Sequence, residues 1–581
     1  MDYMESYKHW LENVTAEEKL ELDALAGDDK ELRERFTLPL AFGTAGMRGV
    51  LGMGTFRMNE YTVARATQGL ADYVKDNGEE AMRRGVVISY DTRRMSYEFA
   101  MTAARVLAAN GVNAYLFENV RPVPICSFSI GHLHTFSGIM ITASHNPKEY
   151  NGYKVYGEDG AQLSPEATAR VVAFIEKRDY FGIPKAEVDP ARENVMGKDN
   201  EEIAKHITVM GKSVDEAYFK RISALSLSPE AVAKEGGNLK IVYTPLHGSG
   251  YKPVTEILSR MHIPFNVVPE QAMPDPEFPT VKMPNPEMPD ALTLGIKLAE
   301  DLGSDVVIGT DPDADRMGVA IRSDKGEFVL LTGNQTGVLL MDYILRRHKE
   351  KGTFPSNAAV VKTIVTTSLA EKVAEYYGAT CFDVLTGFKF IGEKIDLFHK
   401  TGAHTFLFGY EESYGYLAGT HAKDKDAVVS TMLFAEMVCY YKSIGVSLYA
   451  RLQEIYKTLG YYAEQTISVY FKGLDGMAIM AGKTKALRGV NITEIAGYKV
   501  ASVLDFLAGE KTDASGKKQK IDFPKSDVMK YFLEGGDWVA IRPSGTEPKL
   551  KLYVSASSSE GMEKAKEKAA SLLEFMKGYV E

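Results

Sequence analysis

Short apolar runs that end in turn-forming residues recur along this chain, and they constrain its fold more than any other feature. The clearest occupies residues 138–147, where Gly-Ile-Met-Ile is followed by Thr, Ala, Ser, His, Asn and Pro. An apolar run of strand length that ends in turn formers predicts a buried strand carrying a loop to one edge of a sheet. Ser144 is then expected to lie exposed on that loop, although serine and asparagine also form ordinary turns.

Strand-like segments alternate with helical periodicity ahead of this loop. A helical pattern at residues 61–75 is followed by a strand-like run at 86–89, a second helical pattern at 97–109 and a second strand-like run at 113–117. This alternation predicts a mainly parallel sheet that is covered by helices.

The remainder of the chain predicts further units of the same kind and a different C-terminal part. Residues 151–160 predict a short hairpin that carries Lys154, and residues 179–210 are charged and weakly patterned, as in a linker. The prolines of residues 269–289 exclude helix and central strand. A length of 581 residues predicts three to five domains. The pattern changes place four domains at residues 1–208, 209–325, 326–455 and 456–581.

Charge and cysteine content exclude several classes of protein. A formal net charge of -10 argues against nonspecific nucleic-acid binding, so Arg and Lys near a site would have to bind any anionic substrate. The three cysteines have neither disulfide nor zinc spacing. The acidic, amphipathic N-terminus does not resemble a secretion signal, and no apolar run reaches the ~18 residues that a membrane span needs. We therefore expect a cytoplasmic protein without membrane or nucleic-acid partners.

Three aspartates at alternate positions, Asp311, Asp313 and Asp315, directly follow another apolar run. Carboxylates about 4 Å apart repel by about 4 kcal/mol at an effective dielectric near 20 unless a cation lies among them. A calcium loop of the EF-hand type would need glycine and glutamate where this chain has Arg316 and Arg322. Three oxygen ligands with room for phosphate and water suit Mg²⁺, the alternative being a solvated, aspartate-rich turn.

Three other motifs carry groups suited to a phosphorylated sugar. Glycines surround Arg48 in residues 38–52, which suits close approach of the backbone to a ligand or a flexible loop. Residues 542–546 combine a guanidinium, two hydroxyls and a glycine, as in a phosphate cradle or a turn between strands. Glu411 and Ser413 share one face of a loop and suit sugar hydroxyls. Lys389 and Lys425 are further candidate cations or ordinary surface lysines.

His145 follows Ser144 directly, which raises the possibility of a serine hydrolase. Neighbouring side chains in an extended loop point apart, and no G-x-S-x-G motif surrounds the serine. These features argue against a hydrolase triad, and His145 would hold the loop or a phosphate, or serve packing alone.

The ordered motifs GTAGMRG, TASHNP, GTDPDADR, GYEES and RPSGTEP resemble the α-D-phosphohexomutase superfamily, specifically its phosphoglucomutase branch with the longer forms related to phosphopentomutase. The resemblance extends from residue 43 to residue 549. It implies an α/β protein with three related α/β domains, built on mixed sheets around a central cleft. The fourth, C-terminal domain would be α+β and resemble the TATA-binding-protein fold.

The resemblance also implies roles for the candidate residues. Ser144 would carry a phosphoryl group and, with Asp311, Asp313 and Asp315, would hold Mg²⁺. Arg48 and Lys154 would line the reaction centre, and Arg316 would lie beside the transferring phosphoryl group. The substrate-binding residues would be Thr386, Glu411 and Ser413 for the sugar hydroxyls and Lys425, Arg542, Ser544, Gly545 and Thr546 for the second phosphate. One departure from the family is Tyr410, which replaces the first glycine of its G-E-E-S loop.

The implied reaction interconverts glucose 1-phosphate and glucose 6-phosphate through glucose 1,6-bisphosphate, the intermediate and activator. Lys154, His145 and Lys389 are unranked candidates for the acid and base that move the hydroxyl proton. The alternatives are a phosphopentomutase, a glucose 1,6-bisphosphate synthase, a phosphatase and a non-catalytic sugar-phosphate-binding regulator. The protein would be a monomer or a dimer.

Overall fold

A computed structural model describes residues 2–43, 46–471, 475–544 and 548–580 of the chain. The chain forms two compact units, each assembled from separate segments. Unit 1 comprises Met1–Leu331, Gly392–Thr401 and Tyr414–Gly445. Unit 2 comprises Thr332–Ile391, Gly402–Ser413 and Val446–Glu581.

Unit 1 begins with a seven-stranded sheet in the order β1-β5-β4-β2-β3-β7-β6. Its central strands β4, β2, β3 and β7 run parallel, and β5, β1 and β6 are added antiparallel at the two edges. The sheet is therefore mixed, as the family resemblance implies. Its strands are β1 (Met47–Val50), β2 (Val86–Tyr90), β3 (Ala114–Phe117), β4 (Ser137–Ile141), β5 (Tyr150–Tyr156), β6 (Glu201–Ala204) and β7 (Ile207–Met210).

A second, five-stranded sheet of unit 1 has the order β12-β11-β10-β8-β9. The strands β9, β8 and β10 run parallel, and β11 and β12 are antiparallel to their neighbours. Its strands are β8 (Ile241–Thr244), β9 (Phe265–Val267), β10 (Val306–Thr310), β11 (Met317–Arg322) and β12 (Phe328–Leu331).

Unit 2 contains a parallel three-strand arrangement and a large antiparallel sheet. The parallel strands have the order β14-β13-β15. The antiparallel sheet has the order β17-β24-β23-β22-β19-β20-β21, and β18 pairs with β19. The strands from β13 onward are β13 (Ala358–Thr363), β14 (Thr380–Val384), β15 (Thr405–Glu411), β16 (Gly415–Ala418, in unit 1), β17 (Tyr461–Tyr470), β18 (Glu494–Ile495), β19 (Tyr498–Asp505), β20 (Glu510–Asp513), β21 (Lys518–Lys520), β22 (Met529–Leu533), β23 (Trp538–Pro543) and β24 (Lys549–Ser558).

Helices cover these sheets, and local sequence signals fix several of their starts. Asn59 caps the helix that follows it, and Thr332 does the same with Gln335 as its capping-box partner. The first helices are α1 (Tyr3–Asn13), α2 (Ala16–Asp23), α3 (Asp29–Phe36), α4 (Glu60–Asp76), α5 (Glu79–Arg84), α6 (Ser96–Ala109), α7 (Val123–Leu133), α8 (Pro165–Ile175), α9 (Lys212–Ser223) and α10 (Pro229–Glu235). The others are α11 (Tyr251–Arg260), α12 (Pro269–Ala272), α13 (Pro289–Asp301), α14 (Gly333–Glu350), α15 (Leu369–Tyr377), α16 (Phe388–Thr401), α17 (Ala427–Ser443), α18 (Leu448–Leu459), α19 (Gly476–Arg488) and α20 (Met562–Val580).

The structure corrects three sequence predictions. The segment predicted as a hairpin is instead one strand, β5, paired with β1 and β4. A Cβ at Gly152 would approach the carbonyl oxygen of Thr142 to 2.5 Å, so this glycine permits close backbone packing rather than a turn. The predicted linker instead contains β6 and β7. The sequence hides β6 because this exposed edge strand carries few apolar residues. The proline-rich passage begins with α12, since proline is tolerated in the first turn of a helix.

In the part of the chain that the structure describes, no helix has both the length and the apolar character needed to cross a bilayer.

Candidate active site

The loop that carries Ser144 leaves the central strand β4 in a strained conformation. Ser144 has a φ of 53°, in the left-handed region that non-glycine residues rarely adopt, and only 4% of its surface is exposed. Its backbone N–H donates to Thr142 Oγ1 over 2.8 Å, which fixes the turn. The serine is therefore more buried than the sequence predicts, and its hydroxyl has a defined direction. We call residues 142–149 the serine loop.

The buried guanidinium of Arg93 anchors the serine loop through hydrogen bonds to backbone carbonyl oxygens. It donates hydrogen bonds to the carbonyl oxygens of Ser144 at 2.5 Å, Asn146 at 2.6 Å, Pro147 at 2.8 Å and Tyr150 at 3.1 Å. These bonds satisfy backbone oxygens that a tight loop cannot pair with one another. The loop shape thus depends on one side chain from the segment after β2.

Asp91 completes this support. Its Oδ2 lies 3.3 Å from Arg93 Nε and 2.7 Å from Thr142 Oγ1, and its Oδ1 accepts from the hydroxyl of Ser96 at 2.8 Å. The carboxylate is fully buried, so these partners compensate for its lost hydration. Thr142 Oγ1 also lies 3.1 Å from Asp313 Oδ2 and so connects the serine loop to the aspartates.

The three aspartates occupy the loop between β10 and β11, residues 311–316, which we call the acid loop. All three are buried, and one oxygen from each lies within 4.8 Å of the others. Asp311 Oδ1 accepts from the backbone N–H groups of Asp315 and Arg316 at 3.1 and 3.0 Å, and Asp311 Oδ2 accepts from Ser144 Oγ at 3.0 Å. The structure thus brings the serine hydroxyl and the acids together.

The charges of the acid loop are only partly compensated. Burial and the charges of Asp313 and Asp315 raise the pKa of Asp311 well above its usual value. Burial also raises the pKa of Asp315, whereas Lys154 overcomes burial and lowers the pKa of Asp313. In the described residues, Asp313 Oδ1 and Asp315 Oδ1 have no hydrogen-bond partner. Buried carboxylate oxygens so arranged fit a hard divalent cation, of the class that includes magnesium, calcium and manganese.

Two lysines approach the acid loop. Lys154 Nζ, from β5, lies 3.0 Å from Asp313 Oδ2 and 3.6 Å from Asp315 Oδ2. Burial opposes its charge, but Asp313 and Asp315 raise its pKa above the ordinary value, so it stays protonated. Lys425 Nζ lies 3.1 Å from Asp315 Oδ2, a contact that the sequence does not predict.

Arg48 and Arg316 lie near His145 of the serine loop, within unit 1. His145 Nδ1 lies 3.2 Å from Ser144 Oγ, and Arg48 donates to Asn146 Oδ1 at 3.0 Å. Burial, followed by the charges of Arg316 and Arg48, lowers the pKa of His145 well below its usual value. The imidazole is therefore neutral at physiological pH. Arg316 Nη1 lies 3.4 Å from Glu287 Oε2, and Arg316 Nε lies 3.9 Å from Asp315 Oδ1.

The predicted sugar-binding residues lie in unit 2. Glu411 is the last residue of β15 and is buried, and Ser413 follows it in a partly exposed turn. Glu412 accepts hydrogen bonds from the hydroxyls of Thr363 at 3.0 Å and Thr366 at 3.3 Å, which anchor this turn. The end of β15 is therefore held to the end of β13.

Two further predicted residues of unit 2 lie near the start of α16. The hydroxyl of Thr386 is buried without a hydrogen-bond partner in the described residues. Lys389 Nζ lies 4.7 Å from the ring centroid of Phe390. Both residues are partly exposed, as ligand-contacting groups need to be.

The predicted phosphate cradle follows β23. Arg542 lies near the end of this strand opposite Lys551, and the Ser544 backbone N–H donates to the Lys549 carbonyl oxygen at 2.8 Å. Both residues are partly exposed. Gly545 and Thr546 lie outside the described residues.

Tyr410, the departure from the family motif, is a buried residue of β15 with 1% of its surface exposed. Its ring packs over Gly337 of α14, where a Cβ would approach the ring carbons to 2.2 Å. The tyrosine therefore fills a space that the missing side chain of Gly337 leaves free.

Sequence reasoning missed Asp91, Arg93 and Thr142. The signal that could have found the first two is Asp-Thr-Arg directly after the apolar strand β2, the same position that Ser144 and the aspartates take after β4 and β10. Carboxyl ends of parallel strands meet at one edge of a sheet, where ligands bind.

The chain matches four family models in sequence order. They describe phosphoglucomutase/phosphomannomutase alpha/beta/alpha domain I (residues 39–181), domain II (residues 216–326), domain III (residues 332–459) and the C-terminal domain (residues 487–572).

Curated relatives extend this similarity over nearly the whole chain. A phosphoglucomutase of Staphylococcus epidermidis is 39% identical over 532 residues, which cover 91% of this chain and 92% of the relative. A phosphoglucomutase of Staphylococcus saprophyticus is 36% identical over 550 residues, covering 94% and 95%.

Solved structures agree in fold. The exocytosis-sensitive phosphoprotein parafusin, a phosphoglucomutase from Paramecium, aligns with a TM-score of 0.65 at 16% identity, covering 92% of this chain and 95% of that chain. A phosphoglucomutase/phosphomannomutase family protein from Burkholderia thailandensis aligns with a TM-score of 0.64 at 17% identity, covering 91% and 96%. At this identity the likeness concerns the fold alone.

Proposed function

The chain belongs to the phosphoglucomutase/phosphomannomutase family, and on that premise we propose that it interconverts glucose 1-phosphate and glucose 6-phosphate. The observation that carries this proposal is the distance of 3.0 Å between Ser144 Oγ and Asp311 Oδ2, inside a cluster of three buried carboxylates. A hydroxyl so placed suits a phosphoryl carrier beside a cation site. The relatives named phosphoglucomutase support the choice of sugar.

Ser144 is the proposed phosphoryl carrier. In the first half-reaction the bond from phosphorus to Ser144 Oγ breaks while a bond to the free sugar hydroxyl oxygen forms, giving glucose 1,6-bisphosphate. In the second half-reaction the other phosphoryl group returns to Ser144 Oγ. The left-handed backbone at Ser144 and the Arg93 hydrogen bonds keep this oxygen fixed, so orientation contributes to rate.

Asp311, Asp313 and Asp315, with a phosphate oxygen on Ser144, are the proposed ligands of magnesium. Magnesium would neutralise part of the negative charge on the transferring phosphoryl group. Lys154 is already charged beside Asp313 and adds a fixed positive charge. Arg48 and Arg316 are further proposed cations of the reaction centre.

The proton of the attacking hydroxyl needs an acceptor. Neutral His145, 3.2 Å from Ser144 Oγ, is the proposed base, since Lys154 stays protonated. Lys154 is the proposed acid that returns a proton to the leaving oxygen. Lys389 is a further candidate for proton transfer in the second half-reaction.

Residues of unit 2 are proposed to bind the substrate. Glu411, Ser413 and Thr386 offer a carboxylate and two hydroxyls to the sugar. The residues of unit 2 proposed for the phosphate that is not transferring are Arg542, Ser544, Gly545 and Thr546, and Lys425 of unit 1 is the proposed fifth. Lys425 also contacts Asp315, so the proposal places it beside both the cation site and the substrate phosphate.

The partner expected for this chain is a phosphorylated sugar, and the expected location is the cytoplasm. The state as monomer or dimer and the four domain boundaries given above stay predictions.

The test compares the wild-type protein with Ser144→Ala and with Ser515→Ala, a control at an exposed serine of unit 2. We expect Ser144→Ala to lose glucose 6-phosphate formation from glucose 1-phosphate and to lose the added mass of one phosphate, while the control keeps both. Near-normal turnover in Ser144→Ala would refute the carrier assignment.

A panel of substrates distinguishes the sister activities. Faster turnover of ribose or deoxyribose 1-phosphate than of glucose 1-phosphate would indicate a phosphopentomutase. Net release of phosphate would indicate a phosphatase, and accumulation of glucose 1,6-bisphosphate would indicate a synthase. Binding without turnover would indicate a regulator.

A further inference from the structure

A cavity of about 600 Å³ lies within unit 2, between the strands β13 and β14 on one side and the antiparallel sheet on the other. One part of its wall is aromatic, formed by Phe506, Phe523 and Phe532. Carboxylates and a lysine, Lys530, form the other part. A cavity that combines an apolar wall with one buried amine is suited to a small apolar reactant.

Lys530 is a buried amine without a carboxylate partner. Only 2% of the residue is exposed, and no carboxylate lies within ion-pairing distance of it anywhere in residues 2–43, 46–471, 475–544 and 548–580. Its Nζ donates to the Ile364 carbonyl oxygen at 2.6 Å and lies 4.1 Å from the Trp538 ring centroid and 4.6 Å from that of Phe532. A carbonyl and two ring faces stabilise a buried positive charge less than a carboxylate partner would, so burial favours the neutral amine.

A second buried lysine, Lys362, adds to this effect. Its Nζ lies 2.7 Å from Asp383 Oδ1 and 3.0 Å from Glu371 Oε1, so it stays charged. Burial, followed by the charge of Lys362, lowers the pKa of Lys530 to about 7, against the opposing effect of Asp383 and Glu371. An uncharged nucleophile therefore lies next to a fixed positive charge.

We propose that Lys530 is a carbamate site, at which the amine reacts reversibly with carbon dioxide. The Nζ lone pair forms a bond to the carbon of CO₂, one carbon–oxygen π bond becomes an oxygen-centred negative charge, and one amine proton passes to the buffer. The product keeps an N–H that can still donate to the Ile364 carbonyl oxygen. The reaction needs no oxidant, reductant or further reactant.

The charges around the cavity favour carbon dioxide over anionic electrophiles. Glu371, Glu375 and Asp383 line the cavity and would repel an anionic acyl donor, whereas CO₂ is neutral and enters apolar space readily. Once formed, the carbamate places a negative charge near Lys362. The charge of Lys362, which disfavours a charged Lys530, would attract the carbamate and oppose its repulsion by Asp383 and Glu371.

The carbamate would change how the C-terminal sheet meets β13. Lys530 belongs to β22, and Ile364 directly follows β13. A carbamate at Lys530 would add a negative charge at this contact, beside the rings of Trp538 and Phe532. This inference does not depend on the proposed sugar-phosphate chemistry.

The experiment uses the full-length protein equilibrated with ¹³C-labelled carbon dioxide and bicarbonate slightly above neutral pH. Carbamates are trapped as methyl esters with trimethyloxonium, and the modified peptide is identified by mass spectrometry. The matched control is Lys518, an exposed lysine of the same unit whose pKa is raised by its hydrogen bond to Glu510. Each pKa unit changes the neutral fraction tenfold, so we expect Lys530 to be labelled more than about 100-fold more than Lys518.

Two variants complete the test. Lys530→Arg should remove the ¹³C carbamate signal, and Lys518→Arg should leave it unchanged, with folding of each variant checked by circular dichroism. Where Lys530→Arg does not fold, the site of labelling in the wild-type peptide map decides. Absence of label at Lys530, or equal label at Lys518, would overturn the proposal.

Discussion

Replacing Arg93 by lysine is the most direct test of how the serine loop is held. The change keeps the positive charge but replaces a planar group with five N–H donors by an ammonium that cannot span four carbonyl oxygens. Arg93→Lys therefore isolates the hydrogen-bond geometry from the charge.

The size of the effect follows from the contacts of Arg93. Each hydrogen bond to a charged group contributes about 1.5–3 kcal/mol, so a lysine that loses two of the four destabilises the fold by about 3–6 kcal/mol before relaxation. The loop that relaxes carries Ser144, and a displacement of about 1 Å at a reacting atom lowers turnover about 100-fold. We expect kcat to fall by about that factor while KM changes little, because Arg93 does not contact the sugar side of the site.

The matched control is Arg94→Lys, at the adjacent arginine. Arg94 is about half exposed and pairs with Glu277 at the surface, so its replacement should change kcat less than twofold and stability by less than about 1 kcal/mol. The measurements are steady-state kinetics and urea unfolding of both variants, with the phosphate content of Ser144 from intact mass. Equal kcat values for Arg93→Lys, Arg94→Lys and the wild type would refute the view that the guanidinium positions the serine.

Three other predictions concern charge. Burial raises the pKa of Glu464 from its ordinary value of 4.5 to about 7. Between these two pH values the folded protein keeps a proton that the unfolded chain loses, so the free energy of unfolding falls as pH rises toward 7. Glu464→Gln should remove this pH-dependent loss of unfolding free energy, which amounts to at most about 3 kcal/mol, as measured by urea unfolding at several pH values. An unchanged dependence of the unfolding free energy on pH would contradict the assignment. Asp315→Asn should raise the magnesium concentration for half-maximal activity more than about tenfold, and an unaltered magnesium titration would exclude the ligand role. Arg542→Ala should raise KM about tenfold or more without preventing phosphorylation of Ser144 by glucose 1,6-bisphosphate, and loss of that phosphorylation would argue against a role limited to the second phosphate.

The parts of the site that the sequence predicts are those encoded locally. Ser144 and the aspartates each follow an apolar strand directly, so their place at the edge of a sheet can be deduced without knowing what lies nearby. The alternation of strands and helices predicts the parallel central strands, whereas the mixed sheets are implied only by the family motifs.

The parts that the sequence does not predict depend on contacts between distant segments. Arg93 binds carbonyl oxygens of residues 51 to 57 positions further along the chain, and carbonyl oxygens have no side-chain signature. Lys425 likewise pairs with Asp315, which is distant in the sequence, and no sequence motif indicates that contact. The edge strand β6 begins with two glutamates, and this polar pattern explains why the segment resembles a linker.

The packing of Tyr410 on Gly337 has an evolutionary consequence. Because the ring occupies the volume of a Cβ at position 337, neither residue can change freely on its own: a larger residue at 337 would clash with the aromatic ring. A return from Tyr410 to glycine would in turn leave a void beside α14. We expect the two positions to covary among relatives, with an aromatic residue at the first found only where the second lacks a side chain.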